Sequence, residues 1–298
     1  RNHYTWDAHV KKSLHVLSRL LHHERKQIRR DMAIYRRPQR NPLPLVSQML
    51  VSDIDNTLLG DRAALRRFLA ALRATPPNLG FGIATGRTLE SALKILKEWG
   101  VPLPDVLITA VGSEINYGSE LHPDIGWRNL IRYLWRRDAV EEALREVPGL
   151  ILQSPENQRE FKLSYNVDPD VLPPISKIRV LLREQNLYAH LIYSRQAYLD
   201  ILPLRASKGR AIRYLAYKWG LPLRAFLVAG DSGNDHEMLV GDTLGVVVAN
   251  HSPELASLRG NDQIYFADAR YADGIAEGMA HYAFGIPTLE TANDAKAR

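Results

Sequence analysis

Asp53 and Asp55 stand two positions apart at the end of the apolar run Met49-Leu50-Val51, and the hydroxyl of Thr57 follows them. Acids that end a buried strand are costly unless something uses them. Two carboxylates this close repel each other, and a cation between them is the usual remedy. At the carboxyl end of a strand in an open α/β sheet they face the crevice where such sheets bind ligands. The chemistry this spacing allows is Mg²⁺-dependent phosphotransfer with an aspartate nucleophile.

Such a site needs more than two acids, and the chain offers three further stations: Thr85-Gly86-Arg87, Lys208-Gly209 and Gly230-Asp231-Ser232-Gly233-Asn234-Asp235. A carboxylate nucleophile must be ionised and in line with phosphorus. A neighbouring carboxylate can carry the leaving-group proton. Mg²⁺ prefers oxygen ligands, here Asp53, the Asp55 carbonyl and Asp231, with Asp235 behind them. The phosphoryl oxygens need fixed donors, for which the Thr85 hydroxyl, the Gly86 amide and the Lys208 ammonium are suited. Glycines at 86, 230 and 233 allow close backbone approach. Each station alone reads as an ordinary turn, cap or surface lysine. The four together, each following a strand or opening a helix, are specific.

The elements that must position them are legible from periodicity. A strand begins at Met49. A helix is expected over 62–73, with Ala63, Leu65, Phe68, Leu69 and Leu72 inward. Phe81–Ala84 is a second strand, followed by a helix with Leu89, Ala92, Leu93, Leu96 and Trp99 inward and Gly100 at its end. Val106–Val111 is uniformly apolar, as parallel strands are. This alternation predicts a Rossmann-like, doubly wound parallel sheet. The pattern changes near Gly112: one helix over 127–146, a strand over 161–167, a helix over 173–185, and a hairpin pairing 188–194 with 198–204. That is an inserted α+β cap. The doubly wound pattern returns at Ser207, with strands at 225–229, 244–249 and 263–267 and a helix over 272–284. The expected divisions are 1–47, an N-terminal helix and basic linker; 48–112 and 205–285, the core; 113–204, the cap; and 286–298, a tail.

The bulk numbers exclude several classes. The chain has 298 residues, 45% of them hydrophobic, and no cysteine, so disulfides and thiolate chemistry are ruled out. This fits a reducing compartment, and the cytoplasm is the expected location. No apolar run approaches a membrane span, and no signal peptide is visible. The missing initiator methionine leads us to expect a fragment or a processed chain. Of the net charge of +6, residues 1–48 hold 11 Lys/Arg against 3 Asp/Glu, and the rest hold 28 against 30. The basic stretch after an amphipathic helix over 6–21 lacks interleaved aromatics, so it reads as a solvated linker rather than a nucleic-acid site.

The four stations and the insert between the second and third resemble the haloacid-dehalogenase-like superfamily. Thr109–Ile115, Phe161–Tyr165, Asp200–Pro203 and Asn234 bring the resemblance to the sucrose-6-phosphate phosphatase family, over about 48–284. Residues 4–11 resemble the last helix of a sucrose-phosphate synthase glucosyltransferase domain. The resemblance therefore implies the C-terminal phosphatase-like domain of such a synthase, with a synthase domain as partner in the same polypeptide or in trans. It implies Asp53 as nucleophile and Asp55 as acid/base. It implies Mg²⁺ on Asp53, Asp55 and Asp231 supported by Asp235, and phosphate on Thr85, Gly86 and Lys208. It also implies sugar or phosphate contacts from Arg87, Glu114, Lys162 and Asn234. The implied reaction is hydrolysis of sucrose 6-phosphate to sucrose and phosphate. A non-catalytic regulatory domain and a phosphatase for another sugar phosphate are the alternatives. One position departs: the family usually has glycine where Asn56 stands. Asparagine is the side-chain-bearing residue that best tolerates the left-handed region.

Overall fold

A computed structural model describes residues 46–285. The expected N-terminal helix over 6–21, its linker and the tail over 286–298 lie outside the described residues. The chain begins with β1 (Gln48–Ser52), α1 (Arg62–Arg73), β2 (Leu79–Ala84), α2 (Leu89–Trp99) and β3 (Val106–Thr109). Then follow β4 (Glu114–Tyr117), β5 (His122–Pro123), α3 (Ile125–Ile131), α4 (Arg137–Leu144), β6 (Leu150–Leu152) and β7 (Leu163–Val167). Next come α5 (Ile175–Glu184), β8 (Ala189–Ser194), β9 (Tyr198–Pro203), α6 (Lys208–Trp219), β10 (Phe226–Gly230) and α7 (His236–Leu239). The described chain closes with β11 (Leu244–Val247), β12 (Ile264–Phe266) and α8 (Tyr271–His281).

The large sheet runs β12-β11-β10-β1-β2-β3-β4-β5. From β12 to β3 neighbours are parallel, and β4 and β5 add antiparallel strands at one edge. The chain winds outward from β1 through β2 and β3, then returns to β10 on the other side of β1. The β1/β10 boundary is therefore the topological switch point, outside whose carboxyl ends ligands bind in such sheets. Alternate side chains of β1 enter opposite cores. Leu50 joins Leu65, Phe68, Ala92, Leu96, Ala272 and Ile275, while Met49 and Val51 join Ala211, Ile212, Leu215 and Trp127. Both faces are thus apolar, which is why the parallel strands read as continuous hydrophobic runs.

Helix ends follow local chemistry. Asp61 caps α1 by accepting from the amides of Ala63 and Ala64, and Gly100 ends α2 at φ 72. The inward face of α1 includes Ala64 rather than the expected Ala63.

The small sheet, β6-β7-β9-β8, is antiparallel and has its own core of Val140, Leu144, Leu163, Ile178, Leu182, Leu199 and Ile201. The expected hairpin is present as β8 and β9, with Ser194 opposite Tyr198. Two expectations about the insert need correction. The single helix over 127–146 is two helices, broken between Ile131 and Arg137, where Leu134 has φ 60. The insert also starts later than residue 113. β4 and β5 pair onto the large sheet, and Trp127 of α3 packs on Tyr214 of α6 at 5.2 Å between ring centres. Their apolar residues face the main core, a destination that local periodicity does not encode.

Candidate active site

β1 and β10 deliver the acids. The register sets Ser52 opposite Ala229, and the Asp53 amide donates to the Ala229 carbonyl at 2.9 Å. Asp53 thereby sits beside the loop after β10. In that loop Asp235 accepts from the amides of Asp231 (3.0 Å) and Ser232 (3.1 Å), folding the segment back on itself. A Cβ on Gly230 would lie 2.5 Å from the Asp235 Cβ, so only glycine fits there. A Cβ on Gly233 would lie 2.6 Å from Glu254 Oε2 and 3.0 Å from the Tyr193 carbonyl oxygen, whereas one on Gly86 would make only ordinary contact, 3.6 Å from Asn234.

Asp53, Asp231 and Asp235 each turn a carboxylate oxygen into one place, all within 4.8 Å of one another, and all three residues are buried. Lys208, the first residue of α6, is fully buried and points into the same cluster. Its Nζ donates to Asp53 Oδ1 and Asp235 Oδ1, both at 2.7 Å, and to Asn234 Oδ1 at 3.1 Å. Burial opposes the charge of Lys208, but the carboxylates of Asp235 and Asp53 outweigh it and hold the ammonium above the usual lysine range. Burial pushes Asp53 up to about 7, although Lys208 favours its ionised form. Burial, then repulsion from Asp235 and Asp53, pushes Asp231 up to about 8. Three buried carboxylates are a hard-oxygen donor set of the kind that holds a divalent cation.

The predicted residues separate into two groups. Lys208 joins Asp53 to Asn234, and Gly86 lines the same cleft as Asp53 and Asn234. Thr85 is fully buried and its Oγ1 accepts from the Arg87 amide at 3.2 Å. The Asp55 carboxylate lies outside the three-acid cluster; only its main-chain carbonyl is expected to meet the metal. Both its oxygens accept from Arg87, at 2.7 Å from Nε and 2.7 Å from Nη2. The contribution left to Asp55 in a metal site is its main-chain carbonyl. Glu114, expected to contact sugar or phosphate, already has protein partners. On β4, opposite Thr109, it accepts from the Thr109 hydroxyl at 2.9 Å and lies 3.5 Å from Arg159 of the insert. It therefore ties the sheet edge to the insert.

That cleft, of about 440 Å³, lies between the large sheet's carboxyl edge and the small sheet. Asp53, Asp55, Gly86 and Arg87 line one side, and Gln153, Lys162, Tyr198 and Asp200 the other. Lys162 is 3.4 Å from the Gly86 carbonyl and 3.5 Å from Asp200 Oδ1. Sequence reasoning missed Arg195, which lies in the β8–β9 turn and reaches Asp231 Oδ2 at 2.8 Å. The available signal was a hairpin turn, Arg195-Gln196-Ala197, with no Gly, Asn or Asp in it. At Asn56 the expectation holds, since its φ is 62. Its main-chain carbonyl accepts from Asn250 at 2.6 Å.

Among the described residues, no helix is long and apolar enough to cross a membrane. A family model described as Sucrose-6F-phosphate phosphohydrolase matches residues 46–283. Sucrose-phosphatase 1 of Nicotiana tabacum is 36% identical over 255 residues, which cover 80% of this chain and 60% of the tobacco protein. The chain thus spans about 60% of the length of that curated relative. Mannosylfructose-phosphate phosphatase of Agrobacterium fabrum is 30% identical over 239 residues, 79% of this chain and 96% of that protein. Among solved structures, the sucrose-phosphatase of Synechocystis sp. PCC6803, in complex with sucrose and phosphate, is similar with a TM-score of 0.76 and 34% identity. The match covers 80% of this chain and 99% of that one. With the family model spanning both sheets and every acid of the cluster, the chain belongs to the sucrose-6F-phosphate phosphohydrolase family.

Proposed function

We propose that this chain hydrolyses sucrose 6-phosphate to sucrose and phosphate through an aspartyl-phosphate. The observation that carries this reading is the buried Lys208 ammonium, 2.7 Å from both Asp53 and Asp235 at the switch point of the sheet. An Asp53 oxygen attacks phosphorus as the bond from phosphorus to the sugar oxygen breaks. Asp55 gives that oxygen a proton, since an alkoxide leaves poorly. Asp55 then takes a proton from water, which attacks the same phosphorus, frees phosphate and restores Asp53. To act as a proton donor Asp55 must first give up Arg87, which holds both its oxygens, and take up a proton from solvent, which the later proton from water renews. Arg87 then faces the substrate from the wall of the cleft. Lys208 favours the ionised form of Asp53 against its burial, and Lys208, Thr85 and the Gly86 amide hold the phosphoryl oxygens. Asp53, Asp231, Asp235 and the Asp55 carbonyl would hold Mg²⁺, which when bound offsets charge on those oxygens.

Lys162 and Asn234 are the proposed contacts to the sugar phosphate. The cleft volume suits a small-molecule ligand, and the wall formed by the small sheet would read the sugar. A cytoplasmic location belongs to the same reading, supported by the absence of cysteine, which suits a reducing compartment. The resemblance at residues 4–11 supports a glucosyltransferase domain as partner. The relative that acts on mannosylfructose phosphate favours one second reading, another disaccharide phosphate as substrate. Phosphate release from a panel of sugar phosphates, with Mg²⁺ and with EDTA, separates the two. Sucrose 6-phosphate should give the highest kcat/KM, and a higher value for another member would replace it.

A further inference from the structure

Arg195 belongs to the small sheet, yet its partners belong to the catalytic edge of the large one. Its Nη2 donates to Asp231 Oδ2 at 2.8 Å. With the Asn56 amide turned so that its oxygen faces the guanidinium, that oxygen accepts from both Nη1 and Nη2 at 2.8 Å. In the opposite orientation the Asn56 amide would set its own N–H groups against those of the guanidinium. The other oxygen of Asp231 accepts from the Thr57 hydroxyl at 3.3 Å. Both oxygens of a carboxylate in the three-acid cluster are therefore engaged, one of them by a cation.

The backbone at this point is strained. Arg195 and Gln196 have φ 54 and 52, values that cost a residue with a side chain on the order of 1 kcal/mol or more each. Glycine or asparagine would relieve this. Nor is Asn56 an incidental neighbour. It meets the left-handed requirement of its own position (φ 62) as glycine would, but glycine would offer no oxygen to Arg195. The charges at the cluster make the consequence concrete. Asp53, Asp231 and Asp235 face two cations, Lys208 and Arg195, while Asp55 is paired with Arg87. Lys208 is buried and held by three oxygens. Arg195 is partly exposed at the cleft, and it is the cation that can leave.

We propose that Arg195 is a positioning residue that gates the metal site: it holds Asp231 from the small sheet and competes with the divalent cation for that carboxylate. Filling the cation site and holding the β8–β9 hairpin against Asp231 are then opposed, and Asn56 strengthens the hold. This inference rests on Asp53, Asp231 and Asp235 being the divalent-cation ligands.

The test is calorimetric titration of Mg²⁺ into the full chain without substrate. Removing a positive charge this near a dication should tighten Mg²⁺ binding about tenfold or more in Arg195→Ala. Arg195→Lys should fall between that variant and the parent. A purely structural role predicts the opposite, weaker binding and a lower Tm. Unchanged or weaker Mg²⁺ binding by Arg195→Ala overturns the proposal, as does failure of both proteins to bind Mg²⁺. If Arg195→Ala does not fold, Asn56→Gly carries the test: tighter binding supports the gate, and unchanged or weaker binding overturns it. Phosphate release by the parent at saturating Mg²⁺ separates this claim from the proposed function. Turnover with unchanged affinity in the variant sinks the gate alone. Tighter binding without parental turnover sinks the proposed function alone.

Discussion

Gly112 and Ser207 touch backbone to backbone: a Cβ on Gly112 would lie 2.1 Å from the Ser207 carbonyl carbon and 2.4 Å from the Lys208 nitrogen. Gly112 also has φ 96, outside the range side-chain-bearing residues adopt readily. The turn after β3 thus fixes the start of α6, and with it the origin of the Lys208 side chain. Gly112→Ala should cost about 2–5 kcal/mol, from strain and overpacking together. It should also lower phosphate release in the fraction that folds. Urea denaturation and an activity assay on the same preparation check both.

Lys208 compensates the buried acids as well as serving the proposed chemistry. Lys208→Met leaves Asp53 and Asp235 without their shared cation and should destabilise the fold by about 3–5 kcal/mol. Added Mg²⁺ should recover part of that loss, because the same oxygens would then face a dication. Denaturation midpoints with and without Mg²⁺ measure this. A variant as stable as the parent would contradict the pairing.

His190 gives a pH signature away from the acids. Burial holds its pKa below the ordinary 6.5, with Glu237, 3.4 Å away, opposing that shift and Arg210 and Arg179 reinforcing it. The unfolded chain therefore binds this proton more readily than the folded one. The contribution to stability is complete above about 6.5 and is lost as pH falls through the lower folded-state value. His190→Gln should flatten the decline of Tm over that interval. An unchanged Tm–pH curve would show that His190 does not carry it.

Lys162 tests the role of the small sheet's wall. Its ammonium stands between the Gly86 carbonyl and Asp200, both in the cleft. Lys162→Ala should raise KM about tenfold or more while changing kcat less, as expected for lost ground-state binding. An equal fall in kcat at unchanged KM would instead give Lys162 a role in the transition state.

The parts of this site that the sequence discloses are those set by one local rule each. An apolar run ending in acids marks Asp53, a strand-to-helix turn marks Thr85, and a capped helix start marks Lys208. The left-handed requirement at Asn56 is also local, and the structure has it at φ 62. What stays hidden depends on which of several equally suitable partners a side chain meets in space. Arg87 takes both oxygens of Asp55, a choice fixed by the adjacency of β1 and β2 and not by either motif. The partners of Glu114 appear only once β4 is seen to run antiparallel to β3, which sets it opposite Thr109. Arg195 is separated from Asp231 by 36 positions and comes from another sheet, so periodicity cannot place it. The boundary of the insert is hidden for the same reason, because β4 and β5 reveal their sheet only through pairing.

The central claim is that Asp53 is the nucleophile, and one comparison tests it most directly: phosphate release from sucrose 6-phosphate with Mg²⁺ by the parent chain and by Asp53→Asn. The account predicts steady release by the parent and a fall on the order of 10³-fold or more in a variant that still folds. Release by Asp53→Asn at the parental rate would contradict it.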